Sequence, residues 1–289
     1  MKNLFKNFIG VTILASVILF GCQTEIDEPK ALNENEIFIE KIENPDPRLI
    51  SYMEYFGLKG KSIEKFNNDF LVDGDLLITN QDLSIFTEKK RDNEGKKGLT
   101  SENQQYRFQN IVSYTPNVIR RIKYKFASSV PISGDGGQWR TATTAAFNEW
   151  NSIRNSSLYF EPTTGVADIE ISGFFSSGSG IAAAQGPNGL GNPGSQIYIN
   201  TYYNYLSLDW KIQTMAHEIG HTVGFHHTDY NTPGANPNNT VVILIAGTWT
   251  SDPNSIMNHQ LTKGWTGFPY LDQLSIRTLY PLDLSFLTI

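Results

Sequence analysis

The sequence predicts an α+β protein in which a small N-terminal module precedes a larger domain that combines a sheet with helices. Three observations carry this expectation. Short apolar segments of strand character recur between turn residues, two stretches repeat apolar residues at helical spacing, and one polar stretch separates an N-terminal set of elements from the rest. A length of 289 residues fits two folded units, since domains usually run to roughly 100–200 residues.

The chain opens like an export signal. Lys2 and Lys6 precede an apolar run from Phe8 to Phe20 that is short for a membrane span. Leu19-Phe20-Gly21-Cys22 closes the run and resembles the lipobox of bacterial lipoproteins, whose cysteine becomes the lipidated first residue of the mature chain. Cys22 is the only cysteine, so it belongs to no internal disulfide and no thiolate metal site. The expected product is an exported protein, lipid-anchored to a bacterial membrane (outer membrane or cell surface) or released from it. The acidic stretch after Cys22 suits a solvated tether.

From Glu36 to Phe86 the segments IFIEKI, LISYMEYFGL and FLVDGDLLIT alternate helical and strand character and form the small module. Residues 87–105 are rich in Lys, Glu, Asn and Gly, with little to bury, and read as an exposed linker open to proteolytic nicking. The expected divisions are therefore 1–21 (signal), 22–115 (tether, module and linker) and 116–289 (main domain). In the main domain IKYKF at 122–126 alternates with period two, as a half-buried strand does. Trp139, Ala142, Ala146, Trp150 and Ile153 fall on one face of a helix over 138–153. Segments 158–160, 168–171, 181–184 and 196–200 read as further strands, and a second helix runs from near Ser207 to Gly224.

Composition excludes some partners. The net charge of −6 comes with interleaved acids and bases and no Lys/Arg stripe, so nucleic acid is not an expected ligand. A monomer is expected. Gly-rich stretches at 133–137 and 186–194 are candidates for Ca²⁺, although solvated turns explain them equally.

The chemistry lies in the second helix. His217 and His221, four residues apart, project from one face and can reach one ion, and Glu218 beside them can face a water on that ion. Gly224 can take the left-handed conformation that stops the helix and turns His227 back toward the same point. Three imidazoles leave one position open, which distinguishes a catalytic zinc from a structural one. Residues 217–227 satisfy H-E-x-x-H-x-x-G-x-x-H, a match rarer by chance than about one in ten thousand in a chain of this length. All five histidines lie between 217 and 259, whereas a solvated helix face has no reason to concentrate them.

This motif is that of the metzincin zinc peptidases, and the chain most resembles the dual-action HEIGH metallopeptidases of bacteria. The resemblance extends over about 121–281 through Ser255-Ile256-Met257-Asn258, Ile245-Ala246-Gly247-Thr248, Asp252-Pro253, Thr228-Asp229-Tyr230 and Leu279-Tyr280-Pro281. It implies a mixed twisted sheet, an active-site helix, a methionine turn with Met257 as an apolar floor under the zinc, and a C-terminal helix. Two positions depart from related enzymes. His259 stands where some carry a tyrosine, and could touch the oxyanion or the metal or be purely structural; His226 adjoins the third ligand, for which spacing favours His227.

The expected reaction is hydrolysis of peptide bonds in extracytoplasmic protein or peptide substrates by metal-activated water, with one zinc ion and Glu218 as general base. A zinc amidase acting on cell-wall peptides and an inactive surface binding lipoprotein are the alternatives; retention of Glu218 speaks against the latter. Substrate is expected along an edge strand at 181–184, with Trp265 and Phe268 walling the adjacent pocket. Asp229 either orients a histidine ligand or caps its loop. The N-terminal module is expected to cover the cleft as a pro-segment, with Asp73 or Asp75 as candidate blocking groups, or else to serve as a binding module or spacer.

Overall fold

The computed structural model describes residues 39–55, 58, 60–92, 105–115, 117–132, 134–228, 243–245 and 252–282. Contacts divide the chain into residues 1–34 and 35–289, and every described residue lies in the second unit. The signal peptide, Cys22, the tether, the core of the expected linker and Asp229 lie outside the described residues.

The elements run β1 (Ile39–Lys41), α1 (Pro47–Tyr55), β2 (Ile63–Phe66), β3 (Asp69–Val72), β4 (Leu76–Ile78) and α2 (Asn80–Asp92), then β5 (Tyr106–Arg107), β6 (Arg120–Phe126) and α3 (Gly134–Asn151). They continue through β7 (Leu158–Pro162), β8 (Ile169–Phe174), β9 (Ala182–Gln185), β10 (Gln196–Asn200), a 3-10 turn (Thr201–Tyr205), α4 (Leu208–Thr222), β11 (Ile243–Leu244) and α5 (Tyr270–Leu279). Nine strands form one mixed sheet in the order β1-β2-β3-β4-β9-β10-β8-β6-β7. β10, β8, β6 and β7 are mutually parallel, and β9 runs antiparallel to β10. None of the described helices is long and apolar enough to cross a membrane.

The alternation in β6 buries Ile122 and Tyr124 beneath α3, whose Trp139, Ala146, Phe147 and Trp150 share a core with Met215, Ala216 and Ile219 of α4 and Ile276 of α5. Tyr124 stacks on Phe147 at 3.9 Å between ring centroids. The face of α3 read from the sequence is thus the face that packs on the sheet and on the histidine-bearing helix.

Two expectations are corrected here. The linker was placed from residue 87, but α2 continues to Asp92. The boundary near 115 does not separate two sheets: β4 pairs in parallel with β9, matching Leu76 with Ala184 and Leu77 with Gln185, so β1–β4 extend the sheet of the main domain. Both faces of this extension are covered. Phe70, Val72, Leu76 and Ile78 meet α1 and α2 on one face, while Phe66, Leu71 and Leu77 meet Phe174 and Ala183 on the other.

Candidate metal centre

Helix α4 starts after Ser207, with Asp209 in its first turn to complement the helix dipole. From Gln213 to Thr222 every residue is buried, so His217, Glu218 and His221 sit inside the protein. The helix stops when Gly224 N–H donates to His221 O and Phe225 N–H to Gly220 O, with Gly224 at φ +110°. A Cβ on Gly224 would also lie 3.1 Å from Ile111 Cγ2, a tight approach that adds to the positive φ in favouring glycine.

Beyond Gly224 the chain is stitched to residues 105–108, at and just past the end of the linker expected from the sequence. Phe108 N–H donates to Gly224 O at 2.8 Å, and His226 N–H donates to Tyr106 O at 2.9 Å. This short strand draws the chain back along the helix and delivers His227. His227 Nε2 then lies 3.2 Å from His221 Nε2, and the His217 and His227 rings are 5.2 Å apart. His226 turns away and packs edge-on to Phe108 at 5.0 Å; burial, helped by His227, pushes its pKa down to about 3.

The tautomers follow from the backbone. His217 Nδ1 is 2.7 Å from Ile256 O and His221 Nδ1 is 2.9 Å from Phe225 O; a carbonyl only accepts, so each Nδ1 carries the hydrogen. Each Nε2 is therefore the ring atom available to a metal, fixed by its partner on the other side of the ring.

A fourth group joins them. Asp75, on the turn between β3 and β4, places Oδ2 2.8 Å from His227 Nε2, 3.4 Å from His217 Nε2 and 4.0 Å from His221 Nε2. Two ligands on a tetrahedral zinc with bonds of about 2.0–2.1 Å stand roughly 3.3 Å apart, so these separations suit a single zinc. Charge agrees. Burial alone would lower His217, but the Asp75 hydrogen bond and the Glu218 and Asp75 charges outweigh it and raise its pKa to about 9. Burial and the neighbouring imidazoles push His221 well below its ordinary value. The Asp75 and Glu218 carboxyls thus draw positive charge to this cluster, a place that a cation bound to the imidazoles would take. Burial, with Asp75 adding to it, pushes Glu218 well above the usual carboxylate range, and its Oε2 has no hydrogen-bond partner among the described residues.

The floor is built by the turn at 252–258. Met257 is buried, and its O accepts from Thr228 N–H at 2.9 Å. A Cβ on Gly220 would fall 2.5 Å from Met257 Sδ, so the glycine between the motif histidines is the seat of that methionine. Asp272 of α5 holds the turn from behind, accepting from Ser255 Oγ at 2.7 Å, Ile256 N–H at 2.9 Å and Gln105 Nε2 at 2.7 Å. The same Ile256 offers its carbonyl to His217, so Asp272 supports the His217 ring through a single residue.

Other expected residues are placed as follows. His259 is half-buried, its ring 5.2 Å from that of His227 and its Nδ1 3.5 Å from Asp73 Oδ2, beside the four-atom group. Trp265 and Phe268 pack edge to face at 5.1 Å, with Phe268 against Trp150. Calcium finds no support: residues 186–194 carry no carboxylate, and Asn188 closes their turn by accepting from Leu190 and Asn192 N–H. Among the described residues, both groups able to hold a metal lie at this site.

Residues 77–280 match the family described as dual-action HEIGH metallo-peptidase. The chain belongs to that family. As a HEIGH metallopeptidase it is a hydrolase, and the family implies zinc, which the donor set fits. The match begins at β4, far upstream of the 121 expected from the sequence, and so includes the strand at 105–108. Among solved structures the chain is similar to two of myroilysin, at 15% identity, 60% of this chain, 83% of that one and a TM-score of 0.39, and at 16%, 59%, 94% and 0.36. No curated protein matches it.

Proposed function

We propose that this HEIGH metallopeptidase hydrolyses peptide bonds of extracytoplasmic proteins, with His217, His221 and His227 holding one zinc ion and Glu218 acting as general base. The observation that carries the proposal is the convergence of three imidazoles, each of the helical pair held by a backbone carbonyl, next to a buried carboxyl with an unpartnered oxygen. Zinc bound there supplies a Lewis acid that polarises the scissile carbonyl and acidifies water. Glu218 Oε2 takes the proton from the attacking water and delivers it to the leaving amine, a role helped by burial, which makes its carboxylate a stronger base than an exposed one. Met257 and Trp150 wall the helix behind the ligands and exclude solvent from that side. Action outside the cytoplasm and lipidation at Cys22 are supported by Lys2, Lys6, the apolar run and the Leu-Phe-Gly-Cys sequence.

The test compares residues 23–289 with its Glu218→Ala variant on unfolded protein and on cell-wall peptides, with zinc content measured on both. Loss of the base should lower turnover by about 10²–10⁴-fold with one zinc retained in each. Equal turnover by the variant would refute the role of Glu218, and turnover of cell-wall peptides alone would convert the reading to an amidase.

A further inference from the structure

The sequence reading placed the substrate on a free edge at 181–184, and the structure shows that edge filled. β9 pairs with β10 on one side and with β4 on the other, and Ala184 N–H donates to Asp75 O at 2.8 Å. The turn that leads into β4 is shaped for its place. Asp73 and Gly74 both have left-handed φ values, +58° and +87°, and Lys61 Nζ holds Asp73 Oδ2 at 2.7 Å. Gly74 lies so close to Gly180 of the main domain that a Cβ on Gly180 would stand 2.1 Å from Gly74 O. The turn then aims the Asp75 side chain, and not a peptide carbonyl, at the three histidines.

We propose that residues 39–92 are an inhibitory segment of this chain, in which Asp75 completes the ligand set of His217, His221 and His227 while β4 occupies the substrate edge of β9. The inference rests on the peptidase reading for its consequence, but the blockage itself is a matter of ligand access. Carboxylate oxygen is an ordinary zinc ligand, so Asp75 fills the one position that a catalytic site keeps open. The strand pairing removes the other requirement, an edge with unpaired backbone groups. Both effects come from one hairpin, and both end when it leaves. The polar residues 93–104 that follow it are where the sequence invites a cut.

The experiment uses residues 23–289 loaded with Co²⁺ in place of Zn²⁺, in four forms: intact, cut at a specific protease site inserted between Lys96 and Lys97, Asp75→Ala, and Gly180→Ala. Acetohydroxamate is titrated while the cobalt absorption is followed, amide exchange is read at Ala184, and peptide cleavage is assayed in the zinc form. If the open state is about 1% populated in the intact chain, hydroxamate should bind the cut and Asp75→Ala forms about 100-fold more tightly, with a changed cobalt spectrum. Gly180→Ala touches no proposed ligand, yet should also tighten hydroxamate binding and speed exchange at Ala184, which keeps the test valid if Asp75→Ala does not fold. Intact chain that binds hydroxamate and cleaves peptide as well as the other forms would overturn the latency. Altered forms that bind hydroxamate and cleave nothing would leave the latency standing and sink the peptidase reading instead.

Discussion

Gly220 is the position at which the motif and the methionine turn meet, and Gly220→Ala measures their contact. On a solvated helix this substitution stabilises by about 1 kcal/mol, because alanine loses less backbone freedom. Here the new Cβ would stand 2.5 Å from Met257 Sδ, 3.1 Å from its Cε and 3.5 Å from Trp150 Cζ2, all within a buried core. The sulfur lies near the end of a flexible side chain but is enclosed, so Met257 can move only by displacing its buried neighbours; overpacking of this kind costs about 1–3 kcal/mol. The net expectation is a loss of roughly 0–2 kcal/mol once the helix gain is subtracted. The assay is urea unfolding of the chelated protein, so that zinc affinity does not enter the stability. A double-mutant cycle with Met257→Ala then isolates the contact, because truncating the methionine makes room for the new methyl group. In that background Gly220→Ala should regain its helix advantage, which gives a coupling of about 1–3 kcal/mol. Stabilisation by the single substitution, or additivity within about 0.5 kcal/mol, would refute the claim that the glycine exists to seat Met257.

Two further substitutions probe the supports of the site. Burial raises Asp272 to about 6 against an ordinary 3.8, so the folded state binds more protons than the unfolded chain between these values. Stability should therefore fall by roughly 2 kcal/mol as pH rises from 4 to 6, and Asp272→Asn should remove that slope in parallel urea titrations. An unchanged slope would place the titration elsewhere. Tyr280→Phe leaves Val112 N–H without its hydroxyl acceptor and Val223 O, at the end of α4, without its hydroxyl donor. A loss of about 1–3 kcal/mol in chemical unfolding is expected, and a neutral result would mean that both groups find other partners.

Local chemistry made the helix and its motif legible. The period-four histidines, the N-terminal serine and the stop at Gly224 are all set within one turn of the residues concerned, and α4 runs from Leu208 to Thr222 with Gly224 left-handed. The buried face of α3 was legible for the same reason, since Trp139, Ala142, Ala146 and Trp150 repeat at helical spacing. The supports of the site were not. Gln105 lies 167 residues from Asp272, and nothing in the neighbourhood of either reveals that they hydrogen-bond beneath the methionine turn. Tyr106–Phe108 has only enough length for a two-residue strand, too short for a period to register, yet its backbone groups place His227.

Asp75 shows how far a local signal goes and where it stops. The Asp-Gly pair announces a tight turn, because residues there need positive φ, and both Asp73 and Gly74 supply it. Which carboxylate points inward is decided elsewhere. Lys61 holds Asp73, the next strand continues from Asp75 into Leu76, and pairing of Leu76 with Ala184 fixes how far along β9 the turn lies. A slip of one residue in that pairing would exchange the faces of β4 and carry Asp75 away from His227. The register is held by Leu77 against Phe174 and Ala183 on one face and by Leu76 and Ile78 against α1 and α2 on the other. The hydrophobic pattern of β4 thus positions the carboxylate: two apolar surfaces set the strand, the strand sets the turn, and the turn sets Asp75 Oδ2 2.8 Å from His227.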